Sequence, residues 1–401
     1  MYQFKAVIWG AALGMALTPA LAQANVFAEA IEGGKSYGDL RLRYEAVDQN
    51  NALQDASALT LRTRLGFATA AVNGFSATVE FEDSRTVLGE DDYSLAPTGF
   101  KPGQYSVIAD PETTELDQAF LQYKHGGFSA KFGRQVLTFD NHRFIGHVGW
   151  RQDRQTFDGL RLGYQAGDVQ LALAYIEKRN RIFAEAADID SKDLLANVGW
   201  KTSAGKLSAY SYLLEVDNNT DNALDTYGLR WVAKATEQLP VSYTIEVATQ
   251  RSESGGVKRD ADYYLVELGT KVKKLALKAG YEVLGSDGGN YGFSTPLATG
   301  HKFNGWADSF LATPNQGLTD IYLTVAGKLA GGKWAVTYHD FAADKATASI
   351  DDLGSEWDLL YARKLDNGVK LGVKYAAYSA GDAAAGKVDT DKLWIWTSIG
   401  F

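Results

Sequence analysis

Residues 58–67 read ALTLRTRLGF. Leu59, Leu61, Leu65 and Phe67 alternate with Thr60, Arg62, Arg64 and Gly66. A period of two is a strand signal, with one face apolar and the other carrying two arginines in mid-run. Upstream, DLRLRYEAV (39–47) repeats the arrangement with Arg41 and Arg43. What those arginines face decides the fold. In a soluble sheet the apolar face meets a core and the arginines meet bulk water. In a membrane barrel the apolar face meets lipid and the arginines line a lumen.

The same alternation runs through most of the chain, as in Val169, Leu171, Leu173 and Tyr175, or Val369, Leu371, Val373 and Tyr375. About eighteen such segments of about ten residues or more are present, the length of a tilted membrane-spanning strand. Short connections at 72–75, 125–127, 165–168, 202–205, 235–240, 272–274, 329–332 and 365–368 alternate with longer polar ones. The longer ones are 48–56, 85–114, 137–150, 178–190, 217–223, 252–260, 285–316, 342–352 and 380–389. Tight turns at one end and long loops at the other predict an antiparallel transmembrane β-barrel with short periplasmic turns and long extracellular loops. An even strand number puts both ends of the barrel on the periplasmic side. Tyr123, Tyr164, Trp200, Trp231, Trp334 and Trp357 lie near strand ends, where interfacial aromatic girdles form.

Composition agrees. Among 401 residues there are 21 Tyr, 18 Phe, 9 Trp and 41 Gly but only 7 Pro, a mixture that favours strands and turns. There is no cysteine, so disulfides, thiolate catalysis and cysteine metal sites are excluded. A net charge of −9 without a basic tract argues against nucleic-acid binding. The first residues, MYQFK followed by AVIWGAALGMALTPALA, read as a signal peptide over 1–24, with small-x-small cleavage sites at Ala20/Ala22 and Ala22/Ala24. The barrel domain is then 25–401, in the outer membrane of a Gram-negative cell. The final KLWIWTSIGF ends on Phe401, with Ile399, Ile395 and Leu393 on its face. That ending resembles the signal read by the barrel-assembly machinery, which with outer-membrane lipid and lipopolysaccharide completes the expected partners.

An arginine turned to hydrocarbon at the midplane would cost about 2–4 kcal/mol. Parity therefore turns Arg41, Arg43, Arg62 and Arg64 inward, and Glu80 and Glu82 inward on the next strand. Arg161, Arg230, Lys131, Lys278 and Lys374 are further inward cations, facing Glu246, Glu282, Asp320 and Asp358. Four arginines beside two carboxylates predict a cationic excess that a passing anion could balance.

Several stretches resemble the alginate-export family of outer-membrane porins. These are FGRQVLTFDNHRFIGHVGWRQDRQTFDGLRL (132–162) and PLATGHKFNGWADSFLATPNQGLTDIYL (296–323), with SYGDLRLRYE (36–45) and LTLRTRLGF (59–67) in support. The resemblance implies an eighteen-stranded barrel with an arginine-rich constriction that attracts anionic polysaccharide. It adds Arg134, Arg151, Arg154 and Arg161 to the arginines above as pore-lining candidates. Parity from Phe128–Phe132 places Arg134 outward, so a bulge or a strand end is needed there. The family's exporters are expected to carry a long periplasmic lid before the penultimate strand. Here that turn is KLDNGVK, a tight hairpin, which speaks against alginate as the cargo.

Loop 285–316 carries His301, Phe303, Trp306, Asp308 and Phe310, and loop 137–150 carries Asn141, His142, Arg143, His147 and Trp150. Each reads either as an infolded constriction, with His142, His301, Trp306 and Asp308 lining it, or as a loop packed on the rim. DNNTDN (217–222) opens like a calcium loop but has Asn222 where glycine is needed and Gly228 where glutamate is needed, so a solvated hairpin is the plainer reading. No histidine has a serine two residues on, and in YHDF (338–341) His339 and Asp340 face opposite sides of a strand. No nucleophile, base and orienter assemble, so no enzymatic role, metal or cofactor is expected. The function that follows is passive diffusion of small or oligomeric, anionic solutes, with polysaccharide export included. The alternatives are a substrate-specific uptake porin for amino acids, aromatic acids or sugars, and a surface receptor or adhesin without transport.

Overall fold

A computed structural model describes residues 20–95, 101–237 and 239–401. The expected signal segment falls mostly on residues outside these. A helix, α1 (Ala20–Glu32), precedes the strands β1 (Lys35–Gln49), β2 (Ala56–Ala68), β3 (Phe75–Asp92), β4 (Thr113–His125), β5 (Phe128–Gln135) and β6 (Thr156–Ala166). They continue as β7 (Val169–Asn180), β8 (Ile189–Thr202), β9 (Gly205–Leu214), β10 (Asn222–Ala233), β11 (Val241–Ser254) and β12 (Val257–Val272). The last six are β13 (Leu275–Leu284), β14 (Leu318–Leu329), β15 (Gly332–Ala342), β16 (Asp352–Lys364), β17 (Lys370–Ser379) and β18 (Thr390–Gly400).

Each strand pairs antiparallel with the next, and β1 pairs with both β2 and β18, so the 18-stranded sheet closes on itself. Closure leaves no unpaired edge, the condition for a sheet in lipid. At the seam Gly38 and Phe401 exchange backbone hydrogen bonds of 2.9 and 3.0 Å. The Phe401 ring lies over Gly38, so a side chain at 38 would displace that exposed ring. The parity reading holds along β1 and β2. Arg41 and Arg62 are direct cross-strand partners and are buried inside, whereas Leu65 on the other face is 53% exposed. Leu65, Phe81, Leu121, Phe132, Ile321 and Ile395 belong to an exposed apolar exterior, a surface that lipid covers in an outer-membrane barrel.

One connection departs from the expected alternation. Instead of a long loop at 252–260, β11 and β12 run on to a two-residue turn at Gly255–Gly256, with φ of 56° and 79°. Two successive positive φ values make the hairpin turn that glycine pairs favour. The polar residues around it, Arg251 paired with Asp260 and Lys258 with Glu253, form cross-strand ion pairs rather than a loop. Likewise β3 continues to Asp92, so part of the expected 85–114 loop is strand. DNNTDN forms a self-satisfied turn, with Asn222 Oδ1 accepting from Val216 N and its Nδ2 donating to the Val216 carbonyl.

The interior is not an empty tube. The segment between β5 and β6 and the segment between β13 and β14 both fold into the barrel. Leu137, Phe139, Phe144, Ile145, Phe293, Leu297 and Phe310 of these segments pack on Tyr210, Tyr212, Tyr263, Phe341 and Tyr378 of the wall. Tyr210 and Tyr212 stack at 4.8 Å, and Phe139 stacks on Tyr212 at 5.9 Å. Buried side chains of this size contribute about 1.5–3 kcal/mol each. They offset part of the ordering entropy of the docked loops, alongside the hydrogen bonds that fasten the loops to the wall. The plainer rim reading of 285–316 is thus corrected: its apolar residues find a core inside the barrel.

Candidate functional site

On one wall, β1 and β2 present their arginines to the infolded 136–155 segment. Arg41 Nε donates to Gln152 Oε1 at 2.8 Å, and its other nitrogens donate to the carbonyls of Gly149 (3.2 Å) and Arg151 (2.5 Å). Arg43 donates to the Trp150 carbonyl and to the Asp110 carboxylate, with Glu45 at 3.3 Å. Arg62 pairs with Asp39, and Arg64 with Glu82 at 2.5 Å. From the loop side, Arg151 clasps Glu45 at 2.9–3.0 Å and Asp308 at 3.1 Å. Arg154 reaches Glu80 (2.5 Å) and Asp117 (3.0 and 2.5 Å), while its backbone N–H donates to Glu82.

The expected excess of cations is therefore corrected by partners outside the two carboxylates first counted. Arg41, Arg43, Arg62, Arg64, Arg151 and Arg154 stand among Asp39, Glu45, Glu80, Glu82, Asp110 and Asp117. Asp39 and Glu45 lie on the arginine face of β1 at the same spacing of two, and parity alone could have found them. Asp117 could not be found so. By parity it turns outward with Ala119 and Leu121. A bulge opposite Glu80/Phe81 leaves it as the extra residue of β4, and it is buried against Arg154. Asp110 sits in a loop, where no period points to a partner.

Arg134 is also placed. It keeps the outward parity of Phe132 and lies at the end of β5. There it forms a two-pronged bond to Asp158 (2.8 and 2.9 Å) and donates to the Leu116 carbonyl. Its expected place in the lumen lining is corrected: the strand end lets it stay outside with its charge paired.

A second network ties the two loops to the far wall. His301 stacks on Trp150 at 5.1 Å and 4°. Its Nδ1 meets Asp308 Oδ1 at 2.7 Å and its Nε2 meets Lys374 Nζ at 2.9 Å. Asp308 is an acceptor and the lysine ammonium a donor, so the proton sits on Nδ1. Lys374 Nζ also lies 3.8 Å from the Trp306 ring and 4.3 Å from the Trp150 ring, within cation–π range. Asp308 receives Lys392 at 3.1 Å as well as Arg151. Gly305 has φ 83° and sits where a Cβ would lie 2.2 Å from Glu356 Oε2. That close approach lets Ala307 N–H donate to Glu356 at 2.7 Å. His142, at φ 70°, meets His147 edge-on at 5.3 Å and does not join this network.

Burial drives the His301 pKa down from 6.5 to about 3, against the opposing pull of Asp308. The unfolded or undocked imidazole thus binds a proton between pH 6.5 and 3 that the docked one does not. Docking is fully stabilised above about pH 6.5 and weakens as pH falls, by up to about 1.4 kcal/mol per unit. Current noise in a planar bilayer should therefore rise between pH 6.5 and 4. A record that stays quiet over that range would rule out His301 as part of the loop fastening.

Below the loops, towards the short turns, three adjoining cavities of about 230, 320 and 770 Å³ line the wall. The two larger ones share Asp140 and Lys206, and the 770 and 230 Å³ cavities share Asn141 and Arg230. Arg161, Lys201, Lys206 and Lys234 face the two larger ones, with Asp140 as their carboxylate. The smallest holds Arg230, Lys278 and Lys302 together with Glu267, Glu282, Asp320 and Asp358, beside Phe303, Trp306 and Tyr322. Arg230 pairs with Glu246 across β10 and β11, and Lys278 with Glu267 at 3.0 Å. Among the described residues Lys302 donates a hydrogen bond only to the Asn141 carbonyl, at 2.8 Å, with its ammonium 5.5 Å from the Phe303 ring. Burial, and then the like charges of Lys278 and Arg230, push its pKa down. An anion placed there would relieve that repulsion. Lys302 was not singled out from the sequence, because a lone loop lysine carries no pattern.

The family model described as alginate export matches residues 34–284. No curated protein sequence matches the chain. Among solved structures, the chain is similar to OccAB1 of Acinetobacter baumannii (13% identity, 93% of this chain and 97% of that one, TM-score 0.68). It is similar also to OccK3 (OpdO) of Pseudomonas aeruginosa (13%, 94% and 98%, TM-score 0.70). A third is OpdK of Pseudomonas aeruginosa, solved with vanillate (11%, 92% and 98%, TM-score 0.68). At such identities the likeness is one of fold: an outer-membrane barrel of porin type.

Proposed function

Because the chain belongs to the alginate-export family, we propose that it is an outer-membrane diffusion channel, and that its solutes are small organic anions rather than polysaccharide. The observation that carries this reading is the basic lining of the two larger cavities beneath the infolded loops, where Arg161, Lys201, Lys206, Arg230 and Lys234 face one carboxylate, Asp140. A confined lumen with cations along one path raises the local anion concentration. Cavities of about 230–770 Å³ suit single small molecules. A sugar polymer would need the docked loops to leave. The hairpin at 365–368, closed by Leu365 N–H to the Val369 carbonyl at 2.8 Å, offers no long lid. A structural neighbour solved with the carboxylate vanillate is consistent with uptake of aromatic or other organic acids.

In this reading Arg161, Arg230 and Lys302 attract the solute, while Arg41, Arg43, Arg62, Arg64, Arg151 and Arg154 hold the constriction in place. His301, Trp306 and Asp308 set the loop position. We assign the protein no chemistry and no cofactor. Export through a signal segment at 1–24, assembly guided by Phe401 through the barrel-assembly machinery, and contact with lipid and lipopolysaccharide belong to the same proposal. The test is a bilayer measurement on the purified protein. The wild type should show anion preference in its reversal potential, and Lys302→Gln should move it towards cation preference, with the shift shrinking as salt rises. A barrel without conductance would favour the receptor alternative, and a reversal potential indifferent to Lys302→Gln would overturn the anion path.

A further inference from the structure

At the short-turn end of the barrel, charges of one sign face each other. Lys201 stands directly opposite Lys206 across β8 and β9, Lys328 opposite Lys333 across β14 and β15, and Lys364 opposite Lys370 across β16 and β17. Like charges in that position destabilise a hairpin. The long-loop end does the reverse: across β11 and β12, Arg251 faces Asp260 and Glu253 faces Lys258. The lysine pairs also share the parity of the lumen wall. Lys201 keeps the parity of Asn197, Lys333 that of His339 and Lys364 that of Asp358, residues buried inside the barrel. Among the described residues only Lys206 of these six has a carboxylate partner, Asp140 at 3.0 Å. A chain of net charge −9 thus leaves cations unmatched at one mouth.

The first of these pairs belongs to the 770 Å³ cavity, whose wall carries Lys201, Lys206, Arg230 and Lys234 against Asp140. Asp140 is already occupied. Its Oδ1 accepts from Lys206 and Ser208, at 3.0 and 2.9 Å, and its Oδ2 from Asn197 at 2.9 Å. Arg230 is held by Glu246. Lys201 and Lys234 remain: both are exposed, and among the described residues neither has an ion pair or a side-chain hydrogen bond. Lys206 is the cross-strand partner of both Lys201 and Val232, and Lys234 follows Val232 by two residues. Lys201 and Lys234 therefore flank Lys206, two strand spacings and one same-face step apart, about 10–12 Å between Cα atoms. Val232, Leu239 and Tyr243 add apolar surface to the same wall.

We infer that this cavity seats a small organic dianion, with one acid group at Lys201, the other at Lys234 and the apolar body on Val232, Leu239 and Tyr243. The inference rests on the chamber being the solute path and narrows the solute class to acids whose two negative groups are set apart on one small body. The cavity lies within the usual range for small-molecule sites, about 300–1,000 Å³. The competing arrangement is a pair of lysines solvated by water alone, which would give a second acid group no advantage that depends on residues 201 and 234.

The experiment is block of ion current through the full-length protein by two probes of one shape. Terephthalate carries two carboxylates, and in 4-carbamoylbenzoate an uncharged amide replaces one of them. Terephthalate should block about fivefold more tightly, the scale of one ion pair at a partly solvated site. Lys201→Gln and Lys234→Gln should each remove most of that advantage. Lys333→Gln, on a hairpin outside the cavity, should keep it. All three lysines are exposed, so the barrel should assemble without them. Equal block by the two probes in the wild type would overturn the dianion seat and leave the anion path standing. An advantage that falls as far in Lys333→Gln as in the other two would also overturn the seat, because charge anywhere at the mouth would then suffice. No block by either probe would overturn the seat and the anion path together.

Discussion

Replacing Arg151 by alanine should open the channel, seen as a several-fold rise in single-channel conductance with larger current noise. One guanidinium joins three parts of the molecule: Glu45 on β1, Asp308 on the 285–317 segment and the loop that carries Arg151 itself. Its removal leaves both carboxylates buried without that partner. Breaking a buried ion pair from one side typically costs about 3–5 kcal/mol. Undocking the loop lets water reach Glu45 and Asp308 and recovers part of that cost. The undocked population therefore grows, and the apolar core of Phe139, Phe144 and Leu297 keeps it from becoming complete. The measurement is conductance in a planar bilayer, on protein whose folded and boiled forms still migrate differently in a denaturing gel. Wild-type conductance and noise in such a barrel would mean that the aromatic contacts alone hold the loop.

The double variant Arg62→Ala with Arg64→Ala should lower stability far more than it alters ion selectivity. Both arginines are engaged with Asp39 and Glu82, and Glu82 is nearly fully buried. Taking both cations away leaves Glu82 with only the Arg154 backbone N–H at 3.1 Å. A loss of about 3–5 kcal/mol is expected, read as a lower temperature for conversion of the folded band to the unfolded one. The reversal potential should move less than in Lys302→Gln. The opposite pattern, unchanged heat resistance with a strong shift towards cations, would return the four arginines to the anion path that parity first suggested.

The barrel was legible because membrane strands obey one constraint at every second residue. Leu40, Leu42 and Tyr44, or Leu59 and Leu61, announce their face without any knowledge of neighbours. Cross-strand neighbours follow from turn positions, which is why Arg41 and Arg62 could be placed on adjacent strands. The lumen was legible only where it repeats that pattern. Asp110, Gln152 and Asp308 lie in loops, where no period ties a residue number to a direction. The infolding of those loops depends on shape, on Phe144 fitting between Tyr210 and Tyr263, at 5.2 and 5.3 Å, and such fits leave no mark in spacing. The Gly255–Gly256 turn was missed for a different reason. Its flanks are charged, and charge resembles a loop when the ion pairs across the hairpin are not yet known.

The seam between β1 and β18 has a consequence for how the molecule comes into being. The strand that closes the ring against the first one is the last in sequence, and its partner must wait for it. Until β18 arrives, β1 has one hydrogen-bonding edge satisfied and one bare, beside a row of leucines with no lipid yet around them. A contact spanning nearly the whole sequence is the slowest kind to form unaided. Gly38 marks where the two ends meet, joined to Phe401 by reciprocal backbone hydrogen bonds. A chain deprived of β18 would be a finished wall with an unlatched door, a species that keeps an open edge and recruits a second copy in place of its own terminus.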